Sequence, residues 1–163
     1  MKVFLIGYMA SGKSTLGKAL AQRRALPFVD LDIEIEKAAG ASISEIIDSK
    51  GELHFRKLES TVLKELLAQY VTAVFAIGGG TPIFYNHMDL LNEQGVTIFL
   101  DVPVGELAKR LEGDIVRPLI QNKEDVAEFV AKHIFERRPY YSQAKHRIAG
   151  PNISIEEIAA VLN

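Results

Sequence analysis

The sequence predicts an α/β sandwich, with helices covering both faces of a parallel sheet. Three observations carry that prediction. Short apolar runs alternate with helix-patterned segments along the whole chain. Several of the runs are continuously apolar, as strands buried on both faces are. A glycine-rich stretch, Gly7-Tyr8-Met9-Ala10-Ser11-Gly12-Lys13-Ser14, joins the first run to the first helical pattern. It fits G-x-x-x-x-G-K-[ST] in the strand–loop–helix setting that the pattern requires.

The elements follow in order. Val3-Phe4-Leu5-Ile6 forms the heart of a first strand over 2–6, and a helix runs over 13–24. A second strand is expected over 27–31, ending in Asp30-Leu31-Asp32, with three helices over 33–39, 43–50 and 51–68. The third strand, 73–77, runs into Gly78-Gly79-Gly80, and a helix follows over 85–93. A fourth strand over 96–102 precedes a helix over 104–111. The segment 113–122 is the least regular and reads as a mobile lid. A helix over 123–137 closes at Arg137-Arg138-Pro139, where cations suit the negative end of the macrodipole. A last strand over 147–149 and a helix over 154–162 complete the chain. Right-handed crossovers would gather the ligand-binding groups at the carboxyl ends of the strands, where the notable residues indeed fall.

With 163 residues the chain is expected to form one domain with a real core. Apolar content of 48% and charged content of 25% fit a soluble globular protein. A net charge of −2 gives no reason to expect nucleic-acid or anionic-membrane partners. The absence of cysteine excludes disulfides and thiolate metal sites, and suits a reducing compartment. No apolar run approaches the roughly 20 residues of a membrane helix. A core strand begins at once, leaving no room for a signal peptide, so a cytoplasmic location is expected.

The chemistry of the loop is phosphate chemistry. Glycines let backbone N–H groups turn around a polyphosphate, Lys13 reaches the outer phosphates, and the Ser14 hydroxyl suits Mg²⁺. The helix behind it points its positive end at the same anion. Asp30 and Asp32 invite two readings. Period-2 geometry sends them to opposite faces, yet at a turning strand end both reach one cleft, one towards a metal and the other towards a substrate hydroxyl. Asp32 alone is equally an N-cap for the helix that follows. Gly78-Gly79-Gly80 is costly in chain entropy and suits close backbone contact with a ligand, against a simple turn before Pro82. Arg56 stands three residues before Glu59 on a helix face. It reads equally as an exposed ion pair and as a guanidinium held for a carboxylate. Arg117, in the irregular segment, is a solvated loop residue or a cation that closes over a transferred phosphate.

Taken in order, these motifs resemble the shikimate kinase family over nearly the whole chain. The residues that carry the resemblance are the 7–14 loop, Asp30-Leu31-Asp32, Ile35-Glu36 and Gly40, then Gly51-Glu52, Phe55-Arg56 and Glu59. After them come Gly78-Gly79-Gly80, Arg117-Pro118-Leu119, and Arg137 with Pro139, Tyr141 and Ala144. The resemblance implies a single P-loop kinase domain over 1–163 with a five-stranded parallel sheet, a lid around 112–123 and a substrate-binding helical region around 32–60. It implies transfer of the γ-phosphoryl of ATP to the 3-hydroxyl of shikimate, with Mg²⁺; small size and a single site make a monomer the expectation.

It also implies roles. Gly7, Ala10, Ser11, Gly12, Lys13, Ser14 and Thr15 would hold the ATP phosphates, and Arg110 and Pro151 would flank the adenine. Ser14 and Asp30 would serve the metal. Asp32, Arg56, Gly78, Gly79, Gly80 and Arg137 would bind shikimate, with Lys13, Asp32 and Arg117 catalytic. The spacing to Pro139 and Tyr141 favours Arg137 over Arg138 as the carboxylate ligand. Leu31, Ile47 and Ile77 depart from the residues common in relatives, without removing a proposed catalytic group. Another small P-loop kinase, acting on gluconate or a nucleoside monophosphate, is the alternative enzyme. A nucleotide-binding regulator that has lost catalysis is the alternative of another class.

Overall fold

In a computed structural model the chain is described over residues 1–112 and 126–163. Arg117, and the lid expected around 112–123, therefore lie outside the described residues apart from Glu112. Five strands, β1 (Lys2–Ile6), β2 (Phe28–Asp30), β3 (Ala73–Ala76), β4 (Val96–Asp101) and β5 (His146–Ala149), form one all-parallel sheet in the order β2-β3-β1-β4-β5. The helices among the described residues are α1 (Lys13–Arg24), α2 (Leu31–Ala39), α3 (Ile43–Lys50), α4 (Glu52–Gln69), α5 (His87–Gln94), α6 (Val104–Glu112), α7 (Val126–Tyr141) and α8 (Ile155–Val161).

The period-2 alternation of the strands sorts the core into two layers. Phe4, Ile6, Phe75, Ile77 and Phe99 face one way and pack with Leu63 and Leu67 of α4, Leu91 of α5 and Val130 of α7. Val3, Leu5, Val74, Ile98 and Leu100 face the other way, against Leu20 of α1 and Ile158 of α8. The central strands β1 and β3, covered on both faces, read as nearly unbroken apolar runs, while β4 admits the buried Thr97 by hydrogen-bonding its hydroxyl to Asn92. Because every strand runs in the same direction, their carboxyl ends share one rim, where Gly7, Asp30, Gly78 and Asp101 stand. No described helix is long and apolar enough to cross a membrane.

Two local expectations are corrected. The second strand stops at Asp30, and α2 begins at Leu31, so Asp32 sits in the first helical turn rather than on a strand. The capping residue is Asp30, whose carboxylate accepts from Ile33 N at 3.4 Å. Leu31 is fully buried, and fixing it in the core sets where the helix must start. The helix carrying Arg137 does not close there but continues to Tyr141 through Pro139. Proline at that position removes one helical hydrogen bond, to the carbonyl of Phe135, a residue open to solvent. A 3₁₀ turn, Thr81–Ile83, absent from the sequence reading, follows the three glycines.

Candidate active site

The phosphate loop is shaped by backbone conformations that few residues accept. Gly12, at φ 97°, and Ala10, at φ 66°, take left-handed geometry. Gly7 tolerates no side chain, since a Cβ there would stand 2.9 Å from both the Leu100 carbonyl oxygen and Ser11 Oγ. Lys13 Nζ arches back to donate to the carbonyls of Gly7 (2.5 Å) and Tyr8 (3.0 Å), which stretches it across the loop. No side chain caps the start of α1. Its first N–H groups and dipole are thus directed at whatever anion the loop encloses. Ser11 is buried, and its hydroxyl makes no hydrogen bond to a described residue; Thr15 is exposed on the first turn of α1.

Ser14 Oγ donates to Asp30 Oδ2 at 2.7 Å. The pair sets a hydroxyl and a carboxylate side by side at the loop exit. These are hard oxygen donors too few to cage an ion alone, as suits Mg²⁺ shared with phosphates and water. No group of three or more acidic, histidine or cysteine residues poised for a metal occurs among the described residues.

The three glycines are the floor on which the remaining groups meet. A Cβ on Gly78 would lie 2.9 Å from Asp32 Oδ1, and one on Gly79 would lie 3.2 Å from Arg137 Nη1. A Cβ on Gly80 would overlap the Arg56 guanidinium, 2.9 Å from its Cζ. The Gly78 position is crowded by Thr81 Oγ1 as well, at 2.8 Å, so the three glycines leave room for Asp32, Thr81, Arg137 and Arg56 to converge. The same Cβ on Gly79 would lie 3.5 Å from Met9 N, so the phosphate loop borders this floor. A cavity of about 400 Å³ is lined by 9–15 together with Asp32, Gly79 and Arg110.

The Arg56–Glu59 ambiguity is resolved by burial. Glu59 is 1% exposed, accepts from Arg56 Nη1 at 2.9 Å and from Thr81 Oγ1 at 2.7 Å, and so is no surface partner. The guanidinium lies over the rings of Phe84 (4.4 Å) and Phe55 (4.9 Å). Arg137 stands over the Tyr8 ring at 5.7 Å, and Tyr141 Oη donates to the Gly79 carbonyl at 2.5 Å, pinning the floor. Burial raises the Tyr141 phenol above its ordinary value, keeping it a donor.

Crowding by protein is the largest cause pushing the Asp32 carboxyl up to about 6. Lys13 opposes the rise, while Asp30, Glu59 and Glu36 add to it. Solvent still reaches the residue, which tempers that rise.

Arg110 closes the far side. Its Nη1 donates to the Ala10 carbonyl and its Nη2 to the Pro151 carbonyl, each at 2.7 Å, with Glu106 3.0 Å from Nε. This joins two of the sequence-predicted residues, Arg110 and Pro151, at the phosphate loop. Ile47 is exposed on α3 and joins none of these groups. Sequence reasoning missed Thr81, and it missed His133, whose Nδ1 is 2.9 Å from Tyr8 Oη. Neither carries a local pattern, because each acts through a contact made only in the fold.

A five-stranded parallel sheet with this loop at its carboxyl rim is the P-loop α/β fold of small kinases. A family model described as shikimate kinase matches residues 9–162. A shikimate kinase of Flavobacterium johnsoniae is 43% identical over 160 residues, spanning 96% of this chain and 93% of that protein. The crystal structure of shikimate kinase from Bacteroides thetaiotaomicron superposes with a TM-score of 0.92 at 34% identity, over 99% of this chain and 98% of that one. That of Acinetobacter baumannii shikimate kinase in complex with shikimate gives 0.88 at 31%, over 99% and 89%. The chain belongs to the shikimate kinase family.

Proposed function

We infer that this chain transfers the γ-phosphoryl group of ATP to the 3-hydroxyl of shikimate, giving shikimate 3-phosphate and ADP, a step towards chorismate and the aromatic amino acids. The observation that carries the site assignment is the glycine floor: Gly78, Gly79 and Gly80 seat Asp32, Arg137 and Arg56 beside the phosphate loop. An anionic ring with hydroxyl groups matches two guanidinium groups and a carboxylate so placed.

The phosphates of ATP lie in the 7–15 loop, with Lys13 releasing the Gly7 and Tyr8 carbonyls to meet the outer phosphates. Arg110 and Pro151 border the adenine. Ser14 and Asp30 would hold Mg²⁺, which would supply positive charge to offset that of the phosphates. Arg56 and Arg137 grip the shikimate carboxylate, and the glycine floor lets the ring approach the backbone. Asp32 accepts a hydrogen bond from the attacking hydroxyl, and a carboxyl near 6 is ionised at neutral pH and able to take its proton. Phosphoryl transfer needs chiefly in-line placement and charge neutralisation, and this arrangement supplies both. One domain over 1–163, working as a monomer in the cytoplasm, completes the proposal. Residues 32–60 serve as its acid-binding arm.

A coupled ADP-release assay across shikimate, gluconate and nucleoside monophosphates tests the reading. ADP release that depends on shikimate alone is expected. Turnover with another acceptor, or with none, would assign the site differently.

A further inference from the structure

His87 lies outside the cleft, fully buried at the start of α5, yet its hydrogen bonds converge on the segment that surrounds Arg56. Its Nδ1 stands 2.8 Å from the Thr81 carbonyl and its Nε2 2.9 Å from Ser60 Oγ. A carbonyl only accepts, so Nδ1 carries the proton, and Nε2 accepts from the Ser60 hydroxyl. The His87 backbone N–H also donates to the Phe84 carbonyl at 3.0 Å. One residue thus holds both ends of the 81–84 turn.

That turn and the glycine before it bear on Arg56 in three ways, one of them through Glu59. Gly80, just before it, backs the guanidinium; the Thr81 hydroxyl fixes Glu59, which accepts from Nη1; and the Phe84 ring lies against Cζ. The other groups against Arg56 are its helix neighbours, the Phe55 ring at 4.9 Å and Glu52. The Arg56 Nε is buried without a hydrogen bond to a described residue and is 3.7 Å from Glu52 Oε1. Burial also lowers the His87 pKa, in keeping with the neutral tautomer that this pattern of donors and acceptors requires.

We propose that His87 is a positioning residue for the carboxylate-binding arginine: through the Thr81 turn it sets the angle of the Arg56 guanidinium, and thereby affinity for the acid substrate. This rests on the reading of Arg56 as the shikimate carboxylate ligand.

The test compares His87→Leu, which keeps bulk and removes both ring bonds, with His87→Asn, whose amide N–H can still reach the Thr81 carbonyl. Thr81→Val cuts the link to Glu59 directly. In His87→Leu and Thr81→Val the KM for shikimate should rise roughly five- to tenfold, as for loss of one buried hydrogen-bonded anchor. KM for ATP should stay within twofold, and His87→Asn should recover most of the loss. NMR of the Arg56 Nε–Hε group supplies an arm independent of substrate. Its resonance should be sharp and slow to exchange in the wild type and His87→Asn, and broadened in His87→Leu and Thr81→Val. An unchanged Arg56 signal in both of those variants overturns the proposal, whatever the substrate. So does a shikimate KM that holds while only the melting temperature falls. Failure of the wild-type enzyme to phosphorylate shikimate would instead overturn the functional reading, leaving the NMR comparison to decide the positioning role.

Discussion

Arg138 and Asp101 form a two-point ion pair, Nη1 to Oδ2 at 2.8 Å and Nη2 to Oδ1 at 3.0 Å, and that pair separates the work of two adjacent arginines. Arg147 Nε adds a third bond to the same carboxylate, at 2.8 Å. Arg138 is thereby committed to the end of β4, while Arg137, one residue earlier on α7, stands beside Gly79. Arg137→Ala should raise the KM for shikimate roughly 10- to 100-fold, the cost of a charged hydrogen bond to a carboxylate, and leave the melting temperature nearly unchanged. Arg138→Ala should do the reverse. Its acid dependence can be signed: burial alone would raise the Asp101 carboxyl, but the hydrogen bonds from Arg138 and Arg147 outweigh it and hold the group below its ordinary value. Its stabilisation is fully present above the unfolded value of about 4 and is lost as pH falls below that. Thermal melts from pH 7 to pH 2 should show the wild type and Arg138→Ala converging at the acid end.

Asp32 is held against its preference. A carboxyl raised to about 6 in the fold favours its protonated form there, so the ionised group costs stability above pH 6 and costs nothing below the unfolded value near 4. Two pK units correspond to roughly 3 kcal/mol, but the group is open to solvent and about 1 kcal/mol is the realistic share. Asp32→Asn should therefore melt higher than the wild type at pH 8 and no higher at pH 4. Its kcat should fall roughly 10²- to 10⁴-fold if the carboxylate takes the proton. The acid limb of the pH–rate profile should disappear with it.

How much of this was legible beforehand differs by residue. The central strands were readable because burial on both faces leaves a nearly unbroken apolar run, and the phosphate loop because its chemistry admits few residues. Arg56 and Glu59 were identified, but i, i+3 spacing looks the same on a wet face and a dry one, and only the burial of Glu59 distinguishes them. The N-cap fell to Asp30 rather than Asp32, because two aspartates two apart both suit that position; the buried Leu31 between them decided the helix start. Thr81 and His87 left no trace, since a 3₁₀ turn and two long-range bonds create their roles.

The Arg110 guanidinium spans the loop carbonyl of Ala10 and the carbonyl of Pro151, tying α6 and the β5–α8 connection to the phosphate loop. Arg110→Ala should raise the KM for ATP about tenfold, the effect of losing roughly 1.4 kcal/mol of organised contact. The KM for shikimate should remain within twofold. Steady-state kinetics with each substrate varied in turn decide it.

His133 links α7 to the loop through Tyr8, at 2.9 Å. Burial is the main cause that lowers its pKa to about 4, with Arg137 adding to the effect and Glu136 opposing it. The unfolded chain takes up a proton near 6.5 that the folded one refuses until about 4, so the fold loses stability as pH falls through that interval. The loss is at most ~3.4 kcal/mol. Urea melts at pH 7 and pH 4.5 should show a smaller drop for His133→Gln than for the wild type.

The central claim is that a phosphate loop and a carboxylate cradle share one rim, so that a phosphoryl group passes in line from nucleotide to ring hydroxyl. The most direct measurement is ³¹P–¹H correlated NMR of the products formed from ATP, Mg²⁺ and shikimate, with Lys13→Ala as the control. A single phosphate monoester on carbon 3 of the ring, formed in step with ADP and absent with Lys13→Ala, is the predicted result. ADP with inorganic phosphate and unchanged shikimate, or a phosphate on another hydroxyl, would contradict it.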